Sequence, residues 1–174
     1  MYIDPNKCVS IFGAGRMDKN CKEYKETIKI GKILARKEYL LFNGGYGGIM
    51  EASAKGVFDE GGRTIGYTCK TFKYTLGNKY LTETVVCDDI YQRLKLLIDY
   101  SQVFIIQVGG IGTLSELFLL LDESRKKENP PKIYLIGGHW QWIFDNPMIP
   151  QTCKKLMTIV TDVNQLELLI DGNN

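Results

Sequence analysis

Three glycine-rich segments of the sequence are suited to hold a phosphate group. Gly13–Gly15, Gly44–Gly48 and Gly109–Thr113 each follow a short apolar run and precede a stretch with helical character. A strand, a glycine turn and a helix in succession place unpaired backbone N–H groups at the positive end of a helix dipole, where an anion binds well. Glycine is needed there because a side chain would block close approach. The alternative is that these glycines only form tight strand-to-helix turns.

The spacing of these glycines does not match the best-known nucleotide motifs. Asp18 stands where the dinucleotide fingerprint that begins with Gly13-Ala14-Gly15 would require its third glycine, and no P-loop lysine follows any of the three turns. Neither NAD nor ATP is therefore favoured by a motif. The expected ligand is a phosphate-bearing small molecule, held chiefly at Gly44–Gly48 and Gly109–Thr113.

Two charged residues stand close to these segments in the sequence. Glu116 follows Gly112-Thr113 in the predicted first turn of a helix, where the helix dipole favours an ionised carboxylate. Arg93 stands in an apolar stretch of the preceding predicted helix. Both can face one crevice, because ligand sites of open α/β sheets lie outside the carboxyl ends of the strands. Alternatively, Glu116 only stabilises its helix, with Thr113 as a capping partner, and Arg93 forms a surface ion pair.

The elements that must position these residues alternate between short apolar runs and longer helical stretches. This pattern predicts an α/β protein, a single Rossmann-like domain over residues 1–174 with a doubly wound, mostly parallel sheet and helices on both faces. The predicted strands are Lys7–Gly13, Tyr39–Asn43, Arg63–Tyr67, Leu81–Cys87, Gln102–Val108 (the central strand), Lys132–Ile136 and Met157–Thr161 (an edge strand). The predicted helices are Asn20–Glu38, Ile49–Glu60, Asp89–Tyr100 with Asp88 as its N-cap, a helix from Gly112-Thr113 that Asn129-Pro130-Pro131 ends, Trp140–Asn146 and Gln165–Ile170.

One segment between the predicted strands is rich in aromatic residues. Thr68–Lys79 is polar and aromatic without a clear period, and we expect a loop that lies over the ligand. Phe72, Tyr74 and Tyr80 are each able to stack on a base or simply to pack. His139, the one histidine of the chain, follows a predicted strand, and we expect a structural role for it. A single histidine excludes a metal site with two histidine ligands.

The composition is that of a globular protein, with 44% apolar and 24% charged residues. A net charge of +2 gives no reason to expect nucleic acid or a membrane surface as a partner. The longest apolar stretches are far shorter than the roughly 20 residues of a membrane span. The five cysteines form no C-x-x-C pair, which favours buried free thiols and a cytoplasmic location over disulfides or zinc.

Longer motifs carry a resemblance to a known family. The sequence from Gly109 to Glu116, GGIGTLSE, resembles the PGGxGTxxE motif of the Lonely Guy (LOG) family, formerly labelled lysine decarboxylase-like. The segment from Gly44 to Met50, GGYGGIM, is similar to that family's GGGxxGLM segment, and Asp88–Gly110 is similar to its MxxRK, helix and SDAFIALPGG region. The resemblance spans roughly residues 7 to 171. The sequence departs from the family's motifs mainly at Ile90, Leu94, Val108 and Ala14-Gly15-Arg16, where the family has methionine, lysine, proline and a serine-rich turn.

The resemblance implies a Rossmann-like homodimer that cleaves nucleoside 5'-monophosphates, cytokinin nucleotides among them, at the N-glycosidic bond. It implies catalytic roles for Arg93 and Glu116, and no metal or other cofactor. Phosphate and nucleotide binding is expected at Gly13, Gly44, Gly45, Gly47, Gly48, Gly109, Gly110, Gly112 and Thr113. In the implied reaction the Glu116 carboxylate stabilises the oxocarbenium-like ribose, binds its hydroxyls and orients a water, while Arg93 compensates negative charge. Apolar residues around Phe118–Leu121 offer a surface for the dimer.

The same residues are compatible with a second class of function. Related Rossmann-like proteins carry or sense a phosphate-bearing ligand such as molybdenum cofactor, which needs the glycine loops but no turnover. Release of free base by the wild type, lost in Glu116→Gln, distinguishes the enzyme from a carrier. Lysine decarboxylation is disfavoured, because no lysine stands in a recognisable context for a pyridoxal Schiff base.

Overall fold

A computed structural model describes residues 4–72 and 74–171, and its strands form one seven-stranded sheet. The strands are β1 Cys8–Phe12, β2 Leu40–Asn43, β3 Thr64–Cys69, β4 Glu83–Cys87, β5 Val103–Ile106, β6 Lys132–Ile136 and β7 Met157–Val160. Their order is β4-β3-β2-β1-β5-β6-β7, and all six pairings are parallel. The chain winds outward in both directions from β1, so the predicted doubly wound, Rossmann-like fold is confirmed.

Helices cover both faces of this sheet. They are α1 Lys22–Arg36, α2 Ile49–Asp59, α3 Ile90–Asp99, α4 Ile111–Ser124, α5 Gln141–Asp145, α6 Gln151–Lys154 and α7 Val163–Asp171, with 3-10 turns at Pro5–Lys7 and Gly138–Trp140. One core cluster joins the sheet to α1, α2 and α7, and the other joins it to α3, α4, α5 and α6. Within the described residues, no helix has the length and apolar character that a bilayer crossing requires.

The central strand β1 shows why the sheet needs both layers. Every residue of β1 is buried. Val9 and Ile11 belong to the cluster of α1 and α2, whereas Cys8 and Phe12 belong to the cluster of α3 and α4. Side chains alternate between the faces of a strand, so a continuous apolar run must be covered on both sides. Burial of such side chains contributes about 1.5–3 kcal/mol each to stability.

Several predicted boundaries need correction. The strand predicted at Gln102–Val108 is confined to Val103–Ile106 and lies beside the central β1 rather than at the centre. Asp88 is not the N-cap of α3, because Asp89 accepts hydrogen bonds from the N–H groups of Tyr91 and Gln92. Asp88 instead forms an exposed ion pair with Lys70.

Two helices also differ from the prediction. Helix α4 begins at Ile111, so that Gly112 and Thr113 lie inside its first turn and Glu116 in its second. Helix α6, Gln151–Lys154, was not predicted, because four residues after a proline are too short for a periodic pattern to show. The predicted single domain extends over residues 1–174, beyond the described residues, and stays a prediction. All five cysteines are free thiols, and four of them are buried.

Candidate functional site

A cleft of about 350 Å³ opens at the carboxyl ends of β1 and β5. The winding of the sheet reverses between these two strands, which is where open α/β sheets bind their ligands. The cleft is lined by main chain from three glycine-rich turns and by a few large or charged side chains. Its lining residues are Ile11, Phe12, Gly13, Ala14, Gly15, Gly44, Tyr46, Met50, Phe72, Arg93, Gly110, Ile111, Gly112, Thr113 and Glu116.

The structure brings together both predicted catalytic residues and five of the predicted ligand-binding residues. The five are Gly13, Gly44, Gly110, Gly112 and Thr113. The remaining four, Gly45, Gly47, Gly48 and Gly109, are not among the described residues that line the cleft. A Cβ at Gly48 would lie 2.1 Å from the carbonyl oxygen of Ala14, and one at Gly109 would lie 2.1 Å from the Thr113 hydroxyl. A Cβ at Gly109 would also lie 3.0 Å from the backbone nitrogen of Ala14, so these two glycines let the other two turns pack closely against the first.

The start of α4 presents main-chain donors to the cleft. Gly110 is the N-cap in an extended conformation, and among the described residues no side chain caps this helix. The first N–H groups of a helix have no acceptor within the helix, and they carry the positive end of its dipole. A Cβ built on Gly110 or Gly112 would have no described heavy atom within 4 Å. The N-terminus of α4 is thus accessible to an anion.

Two main-chain donors at the turn after β2 are already bonded within the protein, and Asn43, which the sequence analysis missed, organises this turn. The N–H of Gly45 donates to Oδ1 of Asn43 at 2.8 Å, and the N–H of Ile49 donates to the carbonyl oxygen of Ala14 at 2.9 Å. The amide nitrogen of buried Asn43 donates to the carbonyl oxygen of Met50 at 2.9 Å. Asn43 therefore fixes the turn to the first residues of α2. The available signal was a polar residue that ends an otherwise apolar strand.

Arg93 is buried in the floor of the cleft, which excludes the alternative of a surface ion pair. Its Nε donates to the carbonyl oxygen of Tyr67 at 2.8 Å, and its Nη1 lies 3.4 Å from Oε1 of Glu116. A Cβ on Gly44 would lie 1.8 Å from Nη2 of Arg93. The guanidinium is therefore held between a backbone acceptor, a carboxylate and a glycine surface.

Glu116 has an unusual protonation equilibrium for a glutamate. Its side chain is only 12% exposed, and burial raises its pKa to about 7, while the neighbouring Arg93 opposes this shift. Burial therefore acts against the expected ionised state of this carboxylate near neutral pH. Burial outweighs the helix dipole because Glu116 lies in the second turn of α4, beyond the first-turn range of that dipole. A group with this pKa exchanges a proton readily at neutral pH.

The aromatic residues of the β3–β4 connection divide between the cleft and the surface. Phe72 lines the cleft, whereas Tyr74 donates its hydroxyl to the carbonyl oxygen of Gly77 and Tyr80 packs against Phe58. His139 is exposed, and it is not among the described residues that line the cleft. In the part of the chain that the structure describes, no three His, Cys, Asp or Glu side chains cluster as metal ligands would.

The sequence comparisons agree with this arrangement. The profile of the SLOG cluster4 family matches residues 6–128, which include all three glycine turns, Arg93 and Glu116. The chain belongs to the SLOG cluster4 family. A cytokinin riboside 5'-monophosphate phosphoribohydrolase from Mycobacterium tuberculosis is 34% identical over 146 residues, which cover 78% of each chain. The resemblance to the LOG family is therefore confirmed.

Two further proteins are similar to this chain in sequence or in fold. An uncharacterized protein from Archaeoglobus fulgidus is 32% identical over 139 residues, which cover 80% of this chain and 88% of that protein. The structure of the molybdenum cofactor carrier protein from Chlamydomonas reinhardtii has a TM-score of 0.75 at 21% identity, covering 95% of this chain and 96% of that one. This likeness shows that the SLOG cluster4 chain shares the fold of that carrier.

The departure from the LOG motif at Leu94 affects a different surface. Leu94 lines a groove between α3 and α4 together with Tyr91 and Leu119, and it is not among the described residues of the cleft. Adjacent residues of a helix point about 100° apart, so Leu94 and Arg93 face different surroundings. The loss of the family's lysine at this position leaves the described lining of the cleft unchanged.

Proposed function

We propose that this SLOG cluster4 protein hydrolyses the N-glycosidic bond of a nucleoside 5'-monophosphate, cytokinin riboside monophosphates being one class. The C1'–N bond breaks, the oxygen of a water bonds to C1', and one proton of that water goes to the departing base. The products are free base and ribose 5-phosphate, and no metal or redox cofactor takes part. The observation that carries the proposal is the Glu116–Arg93 pair in one cleft with the open start of α4.

Each part of the cleft has a role in this reaction. The N–H groups at the start of α4 hold the 5'-phosphate, because they are donors at the positive end of a 14-residue helix. The carboxylate of Glu116 stabilises positive charge on the ribose and orients the attacking water. The permanently charged Arg93 compensates negative charge on the phosphate or on the departing base. Preorganised groups of this kind contribute a few kcal/mol each to lowering a barrier.

The direct test is incubation of the protein with a panel of nucleosides and their 5'-mono-, di- and triphosphates. The proposal expects free base and ribose 5-phosphate from at least one monophosphate, and much less from the matching nucleoside. Molybdenum cofactor carriers share this fold, so tight nucleotide binding without any release of base would favour a carrier instead. Equal rates with nucleoside and monophosphate would contradict the phosphate role of α4.

The phosphate site has its own test in Gly112→Ala. A Cβ here would have no described heavy atom within 4 Å, and alanine is the better helix former, so we expect unchanged or slightly higher stability. The added methyl would occupy space at the start of α4 that the phosphate needs. We expect KM for the monophosphate to rise by about 10-fold or more, which is a loss of at least about 1.4 kcal/mol.

A matched control exists outside the cleft. A Cβ on Gly138 would also have no described heavy atom within 4 Å, so Gly138→Ala should leave both stability and KM unchanged. Thermal unfolding and steady-state kinetics of the two variants check this expectation. If Gly112→Ala binds monophosphate as tightly as the wild type, the phosphate does not bind at the start of α4.

The proposal extends to assembly and location. Tyr91, Ile111, Phe118 and Leu119 are exposed apolar residues on the neighbouring helices α3 and α4. Exposed apolar residues on two neighbouring helices support a homodimer, as the family resemblance implies. Light scattering should then give twice the 19.8 kDa of one chain, and Leu119→Lys should shift it towards one chain. The five free thiols support a reducing, cytoplasmic environment.

A further inference from the structure

We propose that Phe72 forms the surface on which the base of the nucleotide stacks, and that the site therefore selects a large planar heteroaromatic base. This inference rests on the function proposed above and assigns the end of the cleft that the phosphate and the ribose leave free. Among the described aromatic residues of the β3–β4 connection, Phe72 is the one that lines the cleft.

The ring of Phe72 packs against Tyr46 and Arg93 and is partly exposed. Its edge-to-face contact with Tyr46 has a centroid distance of 5.6 Å and an interplanar angle of 87°. Cζ of Arg93 lies 5.7 Å from the centre of the Tyr46 ring and 6.0 Å from that of Phe72. Phe72 nevertheless remains 43% exposed. Phe72 thus lines the cleft beside Arg93 and Glu116 and keeps part of its side chain exposed.

The loop that carries Phe72 is held in place at both ends. The hydroxyl of Tyr46 accepts a hydrogen bond from the N–H of Cys69 at 2.9 Å, at the end of β3. Further along the loop, the backbone N–H of Asn78 donates to the carbonyl oxygen of Gly45 at 2.8 Å. The side-chain amide of Asn78 donates to the carbonyl oxygen of Tyr46 at 2.9 Å. Both anchors belong to the turn after β2. The aromatic ring is therefore positioned before any ligand binds, which lowers the entropic cost of using it.

A second exposed apolar residue lines the same cleft. Ile111 is 81% exposed at the first position of α4, beyond β5, whereas Phe72 follows β3, with β2 and β1 between those strands. The polar groups Arg93 and Glu116 are buried deeper. A ligand with its phosphate at α4 and its sugar over the carboxylate would place its base towards Phe72. Stacking scales with ring area and tolerates many substituents, so purines should bind better than pyrimidines.

Phe72→Leu tests this assignment, because leucine keeps an apolar side chain over Tyr46 but lacks the π face. With adenosine 5'-monophosphate as probe, we expect KM and the equilibrium dissociation constant to rise by about 10-fold, with kcat changed less than about 3-fold. Inhibition by ribose 5-phosphate should stay unchanged, because that molecule has no base. Phe72→Tyr should restore most of the affinity. Tyr74→Leu, an aromatic residue of the same loop outside the cleft lining, should match the wild type.

Three results separate the explanations. Unchanged affinity of Phe72→Leu for adenosine monophosphate overturns the inference. Equal weakening of adenosine monophosphate and ribose 5-phosphate also overturns it, because Phe72 then only holds the loop in place. If no nucleotide releases its base, the hydrolase proposal fails on its own, while selective weakening of equilibrium nucleotide binding in Phe72→Leu still supports the stacking surface.

Discussion

Glu116→Gln is expected to lower kcat for the preferred nucleoside monophosphate by about 1,000-fold, with little change in KM. Glutamine has nearly the same shape as glutamate, but it carries no charge to stabilise a developing oxocarbenium ion and takes no proton from water. Loss of one preorganised electrostatic or proton-transfer group costs roughly 100- to 10,000-fold in rate. Single-turnover kinetics checks the chemical step, and binding of unreacted nucleotide checks that the site is intact.

The raised pKa of Glu116 predicts how activity and stability respond to pH. The ionised form is the active one, so kcat/KM of the wild type should rise as pH increases through about 7. The folded protein binds this proton more tightly than the unfolded chain, whose glutamate has the ordinary pKa of 4.5. Protonation of Glu116 therefore contributes fully to the stability of the fold below about pH 4.5, and this contribution is lost as pH rises through about 7. As an upper bound, this shift in pKa corresponds to about 3 kcal/mol in the free energy of unfolding.

Glu116→Gln should therefore unfold at a higher temperature than the wild type at pH 8, and this difference should shrink towards pH 5. Glu123→Gln is the matched control on the same helix, because Glu123 is half exposed and pairs only with Lys126 in the described contacts. Its unfolding should depend on pH as the wild type's does. Equal unfolding temperatures of Glu116→Gln and wild type at pH 8 would show that burial does not raise the pKa of this carboxylate.

Much of the site could be predicted because its pieces are local. Glycine turns that follow apolar strands are visible in one sequence, and parallel topology brings their ends to one edge of the sheet. The protonation of Glu116 was not visible, because it depends on burial by residues distant in the sequence. The different roles of the glycines could not be predicted for the same reason. Gly48 and Gly112 stand in similar motifs, yet one packs against Ala14 and the other borders open space.

The first residue of α4 could not be predicted from the sequence, and it decides how strongly the helix dipole acts on Glu116. Sequence periodicity placed Glu116 in the first turn of its helix, where a dipole favours ionisation, but α4 begins at Ile111, one residue before Gly112. A sequence usually allows several helix starts that differ by one or two residues, so periodicity alone does not fix the first residue of a helix. Asn43 was missed because its role depends on partners in α2 that only the folded chain supplies.

Gly44→Ala is expected to have the second-largest effect, although it removes no functional group. A Cβ at this position would lie 1.8 Å from Nη2 of Arg93 and 2.6 Å from Sδ of Met50, so the guanidinium must move. Movement weakens its 3.4 Å contact with Glu116 and its 2.8 Å bond to Tyr67. We expect kcat/KM to fall by about 100-fold, comparable to the loss of one preorganised charge, and stability to fall by about 1–3 kcal/mol.

The displacement of Arg93 also has a spectroscopic and a kinetic signature. Arg93 holds the pKa of Glu116 below the value that burial alone would give, so its displacement should raise that pKa and move the rise of kcat/KM to higher pH. A double-mutant cycle isolates the cause: in an Arg93→Ala background, Gly44→Ala should have a much smaller further effect on kcat/KM, because the guanidinium is gone and only Met50 is left to move. Additive losses would mean instead that Gly44 serves the ligand directly, through close approach of its backbone. Carbon-13 NMR of a labelled Glu116 carboxyl, titrated in both single variants, reports the same shift without relying on turnover.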